Sequence, residues 1–326
     1  MKNIAVVGAT GMVGQSLIKI LHERNFPIKN LELFASSRSA GKIIDGYVVE
    51  ELTPSSFDQN IDIALFSAGG KISKEYAPIA AEKGCVVIDN SSAWRMETDV
   101  PLVVPEVNPD DVYWHKGIIA NPNCSTIQAV VALCPLHKAY GIKRVIFTTF
   151  QSVSGAGGKG LEDLERTAKG EAPEHFPYTI AGNCIPHIDS FREEDAGYTF
   201  EEVKMVNETR KILHAPDIKI TATTVRVPVV IGHSISANVT FTKPFELDEL
   251  RNILAGSPGV VLQDDVTRNI YPTPIEAAGT DSVYVGRIRR DFSHENSLNI
   301  WIVADNIRKG AATNAVQIAE CLLRHG

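Results

Sequence analysis

The sequence predicts an α/β protein of two domains. The first is an N-terminal domain with a Rossmann-type parallel sheet, and the second is an α+β domain whose sheet is mainly antiparallel. Three observations carry this. The 326 residues exceed what one hydrophobic core usually organises. The first 120 residues alternate short apolar runs with helix-like stretches, the pattern of parallel strands joined by crossover helices. From Val145 onward, β-rich segments follow one another with few helices between them, which suits antiparallel pairing.

Composition narrows the function. At 44% hydrophobic and 22% charged, with a net charge of -7, this is an ordinary soluble globular composition. No basic tract stands out, so nucleic acid is not an expected partner. No apolar stretch reaches the ~18 residues of a membrane span, and Ile4-Ala5-Val6-Val7 is too short for a signal peptide. The five cysteines, at 85, 124, 134, 184 and 321, form no CxxC pair and no metal-ligand cluster. An odd, sparse set suits a reducing compartment. The expectation is a cytoplasmic protein without a metal.

Along the chain, Lys2–Val7 reads as a strand. Gly8-Ala9-Thr10-Gly11-Met12-Val13-Gly14 follows at once, then a helix to about Arg24 with Val13, Leu17, Ile18 and Leu21 on one face. Strand, glycine turn and helix form the setting of a dinucleotide fingerprint, here in GxxGxxG spacing. The glycines let backbone approach a pyrophosphate that rests on the helix N-terminus. A second strand, Leu31–Ala35, ends in Ser36-Ser37-Arg38-Ser39. An acidic residue there would favour NAD, whereas hydroxyls and a guanidinium suit a 2′-phosphate, so NADP is the expected cofactor. Strands at 61–66 and 85–88 flank a helix at 72–83, and their polar tails sit where a cofactor cleft forms in such sheets.

Asn121-Pro122-Asn123-Cys124-Ser125-Thr126 lies between an apolar run and a helix-like run from Ile127 to Leu136. Cys124 therefore opens a helix. The positive end of a helix dipole favours a thiolate, and first-turn N–H groups can stabilise an oxyanion. Cys134 lies about 15 Å further along the same helix, too far to act as a resolving thiol. A strand at 145–150 ends in Gln151-Ser152-Val153-Ser154-Gly155. A helix at 161–169, a Pro-rich loop at 172–188 and a helix at 200–214 follow. Strands are expected at 219–227, 235–242, 282–290 and 299–303. The last helix, 306–323, packs back on the first domain. The predicted domains are 1–122 with 306–326, and 123–305.

The ordered set of motifs is specific. To those above it adds Asp89-Asn90-Ser91-Ser92-Ala93-Trp94-Arg95, Pro105-Glu106-Val107-Asn108, Asn207-Glu208-Thr209-Arg210-Lys211-Ile212, Arg226-Val227-Pro228-Val229, Gly232-His233-Ser234 and Asp305-Asn306. From end to end the chain resembles the aspartate-semialdehyde dehydrogenase family. The resemblance implies NADPH-dependent reduction of L-aspartyl 4-phosphate to L-aspartate 4-semialdehyde with release of phosphate, on the route to lysine, threonine and methionine. It implies Cys124 as the nucleophile that forms a thioester, His233 as the acid/base residue and Gln151 as the residue orienting substrate at the thiol. Arg226 would take the α-carboxylate and Glu208 the ammonium. Lys211 and Arg95 would take the phosphate. Thr10, Gly11, Met12, Val13, Arg38, Ser39, Ser154, Gly155 and Asn306 would hold NADP. The assembly implied is a homodimer or a dimer of dimers. Two rivals stand beside this reading. An N-acetyl-glutamyl-phosphate reductase would leave Glu208 without an ammonium to pair. A non-catalytic dinucleotide-binding homologue would not need both Cys124 and His233.

Overall fold

A computed structural model describes residues 1–195 and 197–324, so Ala196 and the predicted domain end at His325 and Gly326 lie outside the described residues. The chain divides into two compact units, Met1–Asn123 with Ala311–Gly326, and Cys124–Gly310. The chain thus re-enters the first unit a few residues after the predicted 305/306 boundary.

The first unit contains β1 (Lys2–Val7), α1 (Met12–Glu23), β2 (Ile28–Ala35), β3 (Ile43–Ile44), β4 (Tyr47–Glu51), β5 (Ile63–Phe66), α2 (Gly70–Glu82), β6 (Val86–Asp89) and β7 (Ile118–Ala120). Its seven-stranded sheet runs β3-β4-β2-β1-β5-β6-β7. Every pair is parallel except the β3–β4 hairpin. The order reverses between β1 and β5, and ligands of such sheets gather outside the carboxyl ends of strands at that switch point. Ile4, Val6, Leu17, Leu21, Leu33 and Leu65 are part of one apolar core, with α1 lying on the sheet through its apolar stripe. The β3–β4 hairpin was not among the expected strands. Its signal was Asp45-Gly46, whose φ values of 49° and 86° close a two-residue turn.

The second unit contains α3 (Cys124–Tyr140), β8 (Ile142–Gln151), α4 (Gly158–Ala168), α5 (Phe200–Ile212), β9 (Lys219–Arg226), β10 (His233–Phe241), α6 (Leu247–Ala255), β11 (Val260–Leu262), α7 (Pro274–Ala277), β12 (Val283–Arg290) and β13 (Ser297–Ala304). Its sheet runs β11-β12-β13-β10-β8-β9. The β12/β13, β13/β10 and β10/β8 pairs are antiparallel, whereas β8/β9 and β11/β12 are parallel. Helix α3 is buried around almost its whole circumference. A helix without a polar face belongs inside a core. Helix α6 was missed although Leu247, Leu250 and Leu254 mark its apolar face.

The chain then returns to the first unit as α8 (Thr313–Leu323), which packs on α1 and β6. A helix was expected from 306. Instead Arg308–Ala312 forms a wider π turn. Asp305 Oδ1 accepts the N–H groups of Ile307 and Arg308 at 2.8 and 2.9 Å, starting this turn. Among the described residues, no helix is long and apolar enough to cross a membrane.

Candidate active site

Strand register in the second unit places the chemistry. Gln151 ends β8 and Arg226 ends the parallel strand β9, and these two residues pair directly. His233 begins β10, opposite Ala304 at the end of β13. Ser234 pairs with Phe150 across β10 and β8. Gln151, Arg226 and His233 therefore lie at one edge of three neighbouring strands. They are 2%, 5% and 0% exposed.

Cys124 is the first residue of α3 and is half-buried. No acidic side chain stands in the first turn to oppose a thiolate. Gln128, one turn along α3, donates to the backbone oxygen of His233 at 3.3 Å, tying the helix to β10. Residues four apart share a helix face. Gly310 explains how the outgoing chain passes here: a Cβ on it would lie 3.0 Å from the Cys124 Cβ. Cys134 is buried further along α3, and burial pushes its thiol up.

The His233 ring is enclosed. Its Nδ1 accepts the Ser152 backbone N–H at 3.1 Å and lies 3.1 Å from the Ser152 hydroxyl. Its Nε2 is buried without a hydrogen-bond partner. Burial, and secondarily the nearby Arg226 charge, hold the imidazole well below its ordinary pKa. The reference pKa of about 6.5, which made histidine attractive for proton transfer near neutrality, does not apply to this ring.

Gln151 is anchored at both ends of its amide. Thr149 Oγ1 donates to its Oε1 at 3.0 Å, and its Nε2 donates to Glu201 Oε1 at 3.0 Å. Arg226 Nη1 donates to the Ser152 carbonyl at 2.7 Å, while its Nε is buried without a partner. Burial lowers the Arg226 pKa, and the Glu201 and Cys124 charges oppose that shift. Glu208 and Lys211 sit on α5. Glu208 is 1% exposed, so it is not half of a solvated surface pair. It shares a buried face with Glu201 and Met205, and Thr126 Oγ1 reaches Met205 Sδ at 3.6 Å, which turns that face toward the start of α3.

Ser154 and Asn306, expected to hold NADP, join the histidine cluster. Asn306 Oδ1 accepts from Ser152 Oγ and Gly232 N at 3.0 and 2.9 Å, and its Nδ2 donates to Ser154 Oγ at 3.0 Å. Gly155 lies against the ring: a Cβ there would be 3.3 Å from His233 Nε2 and 2.9 Å from Arg226 Nη1. The readings from sequence missed Ser152, Thr149, Gln128 and Glu201 as site residues. Only Ser152 carried a signal, its place beside Gln151.

In the first unit the cofactor features are made of backbone. Gly8 has φ +85°, and a Cβ there would lie 2.7 Å from Ser67 O, just past the end of β5. A Cβ on Gly14 would lie 2.2 Å from Gly8 O. Helix α1 starts at Gly11 without a side-chain cap and without an acid in its first turn. Thr10, Gly11, Met12 and Val13 are all at least partly exposed there, and Arg38 and Ser39 follow β2 with Arg38 exposed. These features fit a bound dinucleotide: a close-approach turn, an uncapped helix start and a cation beyond the second strand. Arg95 is 7% exposed, and its guanidinium donates to Asn121 O and Asn90 O at 3.0 and 2.8 Å.

Residues 3–115 match the family model described as semialdehyde dehydrogenase, NAD binding domain, and residues 133–309 match semialdehyde dehydrogenase, dimerisation domain. The chain is 55% identical to the aspartate-semialdehyde dehydrogenase of Aquifex aeolicus over 99% of this chain and 98% of that protein. It superposes on a crystal structure of aspartate semialdehyde dehydrogenase II complexed with ASA, from Vibrio cholerae, with a TM-score of 0.94 and 48% identity. That match covers 100% of this chain and 99% of the other. An aspartate semialdehyde dehydrogenase with NADP from Candida albicans matches with a TM-score of 0.78 and 27% identity, over 99% of each chain.

Proposed function

The chain belongs to the aspartate-semialdehyde dehydrogenase family, and from that premise we propose how its own residues carry the reaction. Its activity is aspartate-semialdehyde dehydrogenase activity, an oxidoreductase step of aspartate-family amino-acid biosynthesis. The direction proposed is NADPH-dependent reduction of L-aspartyl 4-phosphate to L-aspartate 4-semialdehyde, with release of phosphate.

The observation that carries the mechanism lies within the second unit. A thiol opens a buried helix beside a strand edge that presents His233, Gln151 and Arg226. Cys124 attacks the acyl carbon and expels phosphate, leaving a thioester. Covalent catalysis divides one hard step into two easier ones. Gln151, with its amide pinned by Thr149 and Glu201, orients the carbonyl. His233 is the acid/base residue that exchanges the proton of the reaction. Arg226 grips the α-carboxylate, for which a planar guanidinium offers two parallel donors. Glu208 pairs with the ammonium, and Arg95 and Lys211 take the phosphate. NADP(H), when bound, supplies the hydride chemistry. Thr10 to Val13, Arg38 and Ser39 are the residues we assign to it in the first unit, and Ser154, Gly155 and Asn306 in the second. Arg38 underlies the preference for NADP over NAD. We further propose a cytoplasmic homodimer, or a dimer of dimers, built through the second unit, which carries the dimerisation-domain match.

The test is NADPH formation from aspartate semialdehyde plus phosphate, with the N-acetylated glutamate analogue assayed alongside. Preference for aspartate semialdehyde is the expected result. Preference for the N-acetylated substrate would instead mark an N-acetyl-glutamyl-phosphate reductase, and turnover of neither would mark a non-catalytic homologue.

A further inference from the structure

After α4 the chain runs as a strap, residues 171–185, and α4 itself holds it. Asp163 on that helix is 1% exposed, and its carboxylate accepts three backbone N–H groups of the strap. Oδ1 takes Glu174 at 2.7 Å, and Oδ2 takes His175 and Phe176 at 3.0 and 2.8 Å. One turn further on, Thr167 Oγ1 accepts the Ala181 N–H at 3.2 Å. A buried carboxylate is costly unless its oxygens are bonded, so a strap that satisfies Asp163 is also held by it.

The strap meets Arg226 twice. Ile185 exchanges both backbone hydrogen bonds with Arg226, at 2.9 and 2.8 Å, which seats the end of the strap beside the end of β9. Phe176, whose N–H is one of the three that Asp163 takes, brings its ring to the guanidinium. Arg226 Cζ lies over that ring, 5.8 Å from its centre. The ring also packs on the apolar cluster of Val153, Ile180 and Ile185, so it cannot swing away without exposing that cluster. A cation over an aromatic face is attracted by the ring quadrupole, and more strongly where water is excluded. Arg226 is 5% exposed. Its Nη1 is bonded to the Ser152 carbonyl at 2.7 Å, while its Nε is buried without a partner. A bond at one nitrogen does not fix where the other donors point. A bidentate grip on a carboxylate needs the whole fork in one place. The Phe176 ring restrains the fork through its face and uses none of its donors.

We propose that Phe176 and Asp163 are positioning residues for the substrate's α-carboxylate: Asp163 anchors the strap, and the strap holds the Phe176 ring against Arg226 so that its free donors stay aimed at that carboxylate. This rests on the assignment of Arg226 made above. Neither residue touches the reacting carbon, so the pair sets affinity for the amino-acid end and leaves the chemical step alone.

The experiment is steady-state kinetics of the full-length enzyme in the oxidative direction, varying aspartate semialdehyde and phosphate separately. Phe176→Leu keeps an apolar side chain on the cluster and removes the ring. It should raise the KM for aspartate semialdehyde about 2- to 30-fold, the range that a cation–π contact spans. The KM for phosphate and kcat should stay within about twofold. Phe176→Tyr keeps the ring and should restore the wild-type KM. A rise shared equally by both substrates, or the same loss in the Leu and Tyr variants, marks Phe176 as packing only and overturns the proposal. Asp163→Asn tests the anchor. Whichever oxygen becomes the amide nitrogen, it then opposes at least one strap N–H. Hydrogen exchange at the backbone amides of residues 174–176 should speed up at least about 10-fold, the equivalent of one lost hydrogen bond to a charged group, with the same selective rise in KM. Unchanged exchange removes Asp163 as the anchor. Faster exchange with an unchanged KM shows that the strap does not position Arg226. Arg226→Leu separates the two readings. If it leaves the KM for aspartate semialdehyde unchanged, the assignment of Arg226 falls and this inference with it. If it raises that KM and Phe176→Leu does not, this inference alone falls.

Discussion

Helices α1 and α3 begin alike and serve different purposes. Neither has an acidic residue in its first turn, so each presents an unopposed positive dipole end. Helix α1 opens after a glycine turn, with Gly11 exposed and apolar residues along one stripe only. Helix α3 is buried nearly all round and opens with the Cys124 side chain. One helix start leaves its backbone groups uncapped by any side chain; the other places its dipole at a sulfur it carries. The first kind of site is built from the absence of side chains, the second from side chains brought together across the sheet.

Removing the sulfur gives the largest effect. Cys124→Ser should retain fold and NADP binding yet lose turnover by about 10⁴-fold or more, the scale seen when a covalent nucleophile is removed from a catalytic unit. The measurement is kcat beside a cofactor titration, and near wild-type turnover would end the thioester mechanism. His233→Asn comes next, with kcat down roughly 10²–10⁴-fold and the KM for aspartate semialdehyde little changed. If only KM rises, His233 binds substrate and does not exchange the proton.

The contrast also explains what could be read in advance. The glycine turn that opens α1 was legible because glycine spacing after a strand is a local pattern, and local patterns survive in one dimension. The parallel sheet and the succession of later strands were legible for the same reason, through apolar runs and their spacing. Cys124 was legible as a helix opener because polar residues flank it. The companions of His233 were not. Ser152 meets it across 81 positions, and Asn306 meets Ser152 across 154. Nothing in the composition of either segment announces such a pairing. Glu201 illustrates the same limit: two turns from Glu208 on α5, it looks like any surface glutamate until β8 brings Gln151 to it. The burial that lowers the His233 pKa is likewise a property of the packed unit, which no reference value contains.

Placing one methyl group in each region tests the contrast directly. Gly14→Ala puts a Cβ 2.2 Å from Gly8 O in the first unit, and should cost about 1–3 kcal/mol of stability through overpacking. It should be read as a lower Tm. Gly310→Ala puts a Cβ 3.0 Å from the Cys124 Cβ in the second unit. It should chiefly displace the sulfur and lower kcat, by up to ~10²-fold for a shift approaching 1 Å. If Gly310→Ala changed Tm alone, the start of α3 would tolerate displacement and the comparison would weaken. Arg38→Ala is milder. Loss of one charged hydrogen bond, about 1.5–3 kcal/mol, should weaken NADPH more than NADH, and an equal loss for both would remove Arg38 from the 2′-phosphate.

The smallest effect concerns protons, and its sign differs between the units. His233 has a folded pKa depressed by burial and the Arg226 charge. As pH falls below about 6.5, the unfolded chain takes up a proton that the folded ring refuses. Stability contributed by the neutral ring is therefore present above that pH and is lost toward the folded pKa, at up to about 1.4 kcal/mol per pH unit. Asp89 in the first unit has its pKa raised, chiefly by burial, against the lowering effect of Ser91, Ser73 and Arg95. Its contribution is fully present below about pH 3.9 and is lost as pH rises through the folded value. His233→Asn removes only the first effect. The Tm of that variant, relative to wild type, should therefore climb as pH is lowered from 7 toward 5, and should stay level above 7. Asp89→Asn should show the opposite trend, gaining on wild type as pH rises from 4. A Tm difference for His233→Asn that is flat from pH 7 to 5 would mean that the ring takes up its proton in the folded protein as readily as in the unfolded chain.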